Sequence, residues 1–181
     1  MKIVECDIAG PLIIEPQVFG DERGFFLESW NAARFAEAGL DMTFVQDNHS
    51  RSQKGVLRGM HFQRPGPQGK LVRVVSGAVY DVAVDLRRSS PTFGKWVGVE
   101  LSAVNKRMFW VPQGFAHGFL TLEDGTDFLY KCDAPYAPAN EHSLAWDDPD
   151  VGIDWPTDGL DIQLSAKDRE GKPLSEVEAF A

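Results

Sequence analysis

The chain has only two cysteines, Cys6 and Cys132, among 181 residues, too few for a disulfide framework and without metal-ligand spacing. Both read as reduced thiols. Long apolar runs are missing too: none approaches the length of a membrane span. The first residues, MKIVECDIAGPLIIEPQVF, carry acids and a Gly-Pro where a secretory signal would carry a basic stretch and then an apolar block. These gaps lead us to expect a soluble cytoplasmic protein with no membrane partner. Basic residues are scarce overall, with 18 Lys and Arg against 27 Asp and Glu and a net charge of −9, which argues against nucleic-acid binding through counterion release. One absence is local: from Asn48 to Tyr80 there is no Asp or Glu, while Arg51, Lys54, Arg58, Arg64, Lys70 and Arg73 all fall inside. A cationic pocket in an acidic chain suits a small anionic ligand, and a basic surface loop is the plain alternative.

Helical patterning is thin. SWNAARFAEAGL, with a Ser or Asn cap and a stop at Gly39, predicts one helix of two to three turns, and any others should be short. Alternation with period two dominates instead. KLVRVVSGAVYDVAVDLR splits at Ser76-Gly77 into two strands, with Val72 and Val74 on the first and Tyr80, Val82, Val84 and Leu86 on one face of the second. KWVGVELSAVNKRMFWVP repeats the theme through Val97, Val99 and Leu101. In HGFLTLEDGTDFLYKC, Asp124-Gly125 reads as a hairpin turn. Five Trp, twelve Phe and a hydrophobic fraction of 43% supply a core, so the 17 Gly and 11 Pro read as turn punctuation. The expected fold is mainly β, a sandwich or barrel in a single domain over residues 1–181, with the Asp-, Pro- and Gly-rich tail from Pro149 wrapping it in loops.

Two blocks carry the chemistry, GVLRGMHFQ…GKLVRVVSG and PQGFAHGFLT. Their spacing resembles the paired motifs of cupin β-barrels, with Gly55, His61, Gly77, Pro112, Gly114 and His117 in register. That resemblance implies a jelly-roll barrel, a double-stranded β-helix. The departures sit at the metal-ligand positions: Gln63 replaces the second His, Lys70 the Glu and Thr121 the closing Asn. A lysine ammonium opposes a divalent ion and offers it no lone pair, so two imidazoles without a carboxylate make a poor cage. We therefore expect no metal.

His61 with Lys70 suits proton abstraction next to a ketone instead. Such a carbon acid is far weaker than imidazolium, and each pKa unit of mismatch is worth about 1.4 kcal/mol, so something must stabilise the enolate. A lysine ammonium aimed at the ketone oxygen would do so in a partly dry barrel mouth. The base also needs an orienting partner, and the carbanion a proton donor on its opposite face.

FGDERGFFLESW, FVQDNHSRS, VLRGMHFQ, GKLVRVVSGAVYDVAVDLR, SPTFGKWVGVELS, WVPQGFAHGFLTL, FLYKC, GIDWP and LSAKD, in that order, resemble the dTDP-4-dehydrorhamnose 3,5-epimerase family. The resemblance implies a dimeric cupin-like barrel that inverts C3 and C5 of dTDP-4-dehydro-6-deoxy-D-glucose without metal or redox cofactor. By the same matching, His61 is the base, Asp168 its partner carboxylate, Tyr130 the proton donor and Lys70 the lysine near the ketone. Arg23, Phe26, Glu28, Gln46, Asn48, Arg58, His117, Glu141 and Lys167 fall at positions of substrate or nucleotide contact, and Tyr136 at an aromatic that stacks on thymine. Arg23, Arg58 and Lys167 suit pyrophosphate oxygens. The N-terminal strands are implied to reach a neighbouring subunit's site.

Bland readings stand beside these. Tyr130 could be a strand aromatic, Asp168 could cap a short turn, Phe26 could be core packing, Glu28 a solvated strand residue and His117 a structural histidine. Motif blocks do not separate two-carbon epimerisation from a single-carbon epimerase or a 3,4-ketoisomerase. A metal-dependent cupin oxygenase and a non-catalytic sugar-nucleotide module are the readings from other classes.

Overall fold

The computed structural model describes residues 1–181. Lys2–Glu5 (β1) and Leu12–Glu15 (β2) open a six-stranded antiparallel sheet, which continues through Met108–Val111 (β10), Lys70–Ser76 (β7), Thr126–Cys132 (β12) and Gln46–Ser52 (β5). A five-stranded sheet runs Glu141–Ser143 (β13), Leu57–Gln63 (β6), Phe115–Thr121 (β11), Ala78–Asp85 (β8) and Trp96–Ser102 (β9). Successive strands alternate between the two sheets over much of the chain, which is jelly-roll topology.

That alternation corrects one expectation. Asp124-Gly125 does not close a hairpin, because β11 pairs with β6 and β8 while β12 pairs with β5 and β7. Both this turn and Ser76-Gly77 are corners at which the chain crosses between sheets. The two corners touch: a Cβ on Gly77 would lie 2.2 Å from Thr126 Oγ1, and at a φ of 74° only glycine turns there without strain. A turn signal reports a reversal of direction, not which sheet receives the next strand.

Alternation along β8 explains the layering. Val79 and Ala83 face the other sheet and meet Val72, Val74, Phe109, Phe119 and Phe128 in the inter-sheet core. Val82 and Val84, on the opposite face of β8, join a second cluster with Leu57, Met60, Trp155, Val177 and Ala179, so the irregular tail covers the outside of the five-stranded sheet. The six-stranded sheet is backed by Ile14, Leu71, Met108 and Trp110 against Phe35. Phe35 belongs to Ala32–Glu37 (α1), whose six residues are shorter than the expected two to three turns; Asn31 caps it and Gly39 ends it at a φ of 84°. Val18–Asp21 (β3) and Gly24–Leu27 (β4) form a separate two-stranded ribbon outside both sheets. No helix is long and apolar enough to cross a membrane.

Candidate active site

β6 and β11 bring the two sequence motifs together. His61 and His117 stand opposite each other across that strand pair, and the register shifts just beyond them. The shift falls at Gly118, where a Cβ would meet Met60 Sδ at 2.6 Å and the Arg58 carbonyl oxygen at 2.7 Å. Only glycine lets the two strands approach this closely.

A cavity of about 420 Å³ opens between the sheets at this end. It collects Gln46 and Asn48 from β5, Arg58, His61 and Gln63 from β6, Lys70 from β7, His117 from β11 and Tyr130 from β12. Tyr136, Glu141, Lys167 and Asp168 complete it. On β5 the alternate residues Gln46, Asn48 and Ser50 all line this space, as a strand with one face on a cavity requires.

His61 Nε2 lies 2.7 Å from Asp168 Oδ1, which also accepts the Gly59 N–H at 3.2 Å. The other carboxylate oxygen accepts Ser165 Oγ–H at 2.6 Å and Ser165 N–H at 3.3 Å. Asp168 is 4% exposed. Burial alone would push its pKa up, but the hydrogen bonds from His61, Ser165 and Gly59 hold the carboxyl far below the usual range. With Asp168 ionised and able only to accept, His61 Nε2 carries the bridging proton, and in the neutral imidazole that tautomer has its lone pair on Nδ1. Asp168 is also the third residue of the one-turn helix Ala166–Arg169 (α2), where it forms a capping box with Ser165. Turn cap and histidine partner are thus two jobs of one carboxylate.

Lys70 is buried, and its ammonium donates to the Gln68 carbonyl at 3.4 Å. Desolvation pulls its pKa down, against the opposing influence of Cys132, Asp133, Glu141 and Asp81. Tyr130 packs beside Phe128, and burial, with Cys132 and Glu141 nearby, raises its phenol pKa against the pull of Arg58. It stays protonated at neutral pH. Around the rim, Tyr136 Oη donates to Glu141 Oε2 at 2.5 Å, and the Lys167 ammonium pairs with Glu141 Oε1. The Glu141 bond drives the Tyr136 pKa up to about 12.

The cupin metal positions are otherwise engaged. Gln63 donates to the Gly66 carbonyl at 3.0 Å and accepts the Ala137 N–H at 2.8 Å, tying two loops together. His117 pairs with buried Asp81 at 2.8 Å, and no group of three or more His, Cys, Asp or Glu side chains is placed to hold a metal ion. The side chains present do not form a metal cage.

Three residues assigned to substrate contact lie elsewhere in this chain. Arg23 and Phe26 sit on the outlying β3–β4 ribbon, with Arg23 bound to Asp21 at 2.5 Å. Glu28 pairs with Arg34 at 3.2 Å and accepts from Asn31 at 3.1 Å. None of the three reaches the cavity of its own chain, because the ribbon packs outward with Lys106 over the Phe25 ring. Sequence reasoning also missed Ser50, Gln68, Asp81 and Ser165. For Asp81 a signal existed: an acid on the inward face of VYDVAVD needs a partner. Ser50 Oγ is buried with no protein partner, which no pattern in the sequence announces.

The dTDP-4-dehydrorhamnose 3,5-epimerase family model matches residues 5–176 of the chain. The chain belongs to this family. It is 58% identical over 179 residues to the dTDP-4-dehydrorhamnose 3,5-epimerase of Salmonella typhimurium, covering 98% of this chain and 97% of that one. The structure of a dTDP-6-deoxy-D-glucose-3,5-epimerase from Legionella pneumophila, in complex with dTDP-4-keto-L-rhamnose, superposes with a TM-score of 0.94 at 54% identity, covering 98% of this chain and 94% of that one. A 3'-monoepimerase from Streptomyces bikiniensis, in complex with dTDP-quinovose, shares the fold at a TM-score of 0.88 and 38% identity, covering 94% of this chain and 86% of that one. The same fold is thus shared by a protein described as a 3'-monoepimerase.

Proposed function

We propose that this family member epimerises dTDP-4-dehydro-6-deoxy-D-glucose at C3 and C5 to give dTDP-4-dehydro-L-rhamnose. The observation that carries the reading is the gathering of a carboxylate-oriented histidine, a protonated tyrosine and a buried lysine in one cavity. His61 Nδ1 takes the proton from a carbon alpha to the C4 ketone, while Asp168 holds the ring and stabilises the imidazolium that forms. Lys70 supports the enolate oxygen; its lowered pKa makes it a stronger hydrogen-bond donor. Tyr130 returns a proton to the opposite face, which inverts the centre. C3 and C5 flank the same carbonyl, so one set of groups serves both after the sugar reorients. At the rim, Tyr136 offers its ring to thymine, and Arg58 and Lys167 offer charge to the pyrophosphate. Gln46, Asn48, His117 and Glu141 are the remaining contacts we assign to the substrate in this cavity.

Product stereochemistry tests this. Nuclear magnetic resonance of the sugar nucleotide after incubation with the protein should show both centres inverted; inversion at C3 alone would make it a monoepimerase, and unchanged substrate would overturn the reading.

Arg23, Phe26 and Glu28 enter through a second copy. The ribbon leaves Phe19, Phe25 and Phe26 at 59%, 63% and 67% exposure, an apolar surface that a homodimer would cover. Light scattering should find a dimer, and disrupting it should weaken substrate binding. A monomer with full activity would remove this role for the ribbon.

A further inference from the structure

We propose that Ser165 is the positioning residue that holds the Asp168 carboxylate in the orientation His61 requires, an inference that rests on His61 being the base. Asp168 lies on a helix of only four residues, too short to fix a side chain by its own stability. Its orientation must come from its partners. Gly59 N–H and His61 share Oδ1 and both belong to β6. Oδ2 is held by Ser165 alone, through Oγ–H at 2.6 Å and N–H at 3.3 Å. Ser165 Oγ in turn accepts the Asp168 N–H at 3.2 Å, so one hydroxyl grips both the backbone and the carboxylate of the same residue.

That double grip limits what the position tolerates. A side-chain helix cap needs only an acceptor, which Asp supplies as well as Ser, and glycine, which has none, still costs a helix start little. Holding Oδ2 needs a donor on the same atom, which restricts the choice to a hydroxyl. Without it Oδ2 keeps only the longer backbone bond, and the carboxylate can turn so that its two oxygens compete for Nε2. Ser165 also lines the cavity wall beside His61, so a loosened carboxylate would disturb the base itself.

The test compares Ser165→Gly, Ser165→Asp and Ser165→Thr in the full-length protein, with kcat and KM measured on the 4-keto sugar nucleotide and melting followed in parallel. Gly loses both acceptor and donor at little cost to the helix start, and Asp keeps the cap acceptor but offers no donor and sets a like charge against Oδ2. In both, kcat should fall roughly tenfold or more with KM within about twofold, at least the loss expected for a hydrogen bond to a charged group. Thr should return kcat to near the wild-type value. Melting of the Gly variant should stay close to wild type. Wild-type kcat in both the Gly and the Asp variants would reduce Ser165 to a helix cap and overturn the proposal. So would a loss that Thr fails to rescue, or one in which KM and melting move together with kcat. A wild-type protein inactive on this sugar nucleotide would instead overturn the assigned reaction.

Discussion

His61→Asn is expected to lower turnover by about two to four orders of magnitude, the range that removing a positioned general base produces. The fold should survive the change. Asp168 would lose one donor but keep the Gly59 and Ser165 N–H groups and the Ser165 hydroxyl, so its buried charge is not abandoned. His61 itself is partly exposed to the cavity, and its replacement opens no void in the apolar core. Circular dichroism and melting should therefore match the wild type while solvent exchange into the substrate collapses. Exchange that persists at more than a tenth of the wild-type rate would assign the base elsewhere.

Lys70→Met should cost about two to three orders of magnitude in kcat, the loss typical of removing one donor aimed at a developing oxyanion. Methionine matches the unbranched stem up to the position of Lys70 Cε and removes a buried charge whose desolvation already works against it. Stability should hold or rise, because the ammonium makes no ion pair and its one hydrogen bond, 3.4 Å to the Gln68 carbonyl, leaves most of its desolvation uncompensated. That separates a chemical effect from a folding effect. Since burial has lowered the Lys70 pKa, less is needed for it to share its proton with an enolate oxygen than for an exposed lysine. A Lys70→Met enzyme within tenfold of wild type would remove the lysine from the enolate and leave it a structural residue.

Much of the fold was legible because it is written in period two. The strands around Val72, Val82 and Val99 and the cap at Asn31 follow from local pattern. Partnering was not legible: most strands from β5 onward have their sequence neighbours in the opposite sheet, while β8 and β9 pair directly, and the turn chemistry at Asp124-Gly125 is the same for a hairpin and for a corner. The site divides in a similar way. His61 and His117 announce themselves by motif spacing, whereas Asp168, far along an irregular tail, joins them only through the contacts of α2 with β6. Asp81 and Ser165 were missed because each acts on another side chain, and the sequence contains no distances. Arg23, Phe26 and Glu28 were placed at the site by resemblance, while none of the three lines the cavity of this chain.

The central claim is that one histidine works on both carbons flanking one ketone. Incubating the wild-type protein and His61→Asn with dTDP-4-dehydro-6-deoxy-D-glucose in deuterated water, and locating the label by nuclear magnetic resonance, tests it most directly. Over the few minutes that the wild type needs to place deuterium at both C3 and C5, His61→Asn should place it at neither; label entering either carbon in the variant at more than a tenth of the wild-type rate would contradict the claim.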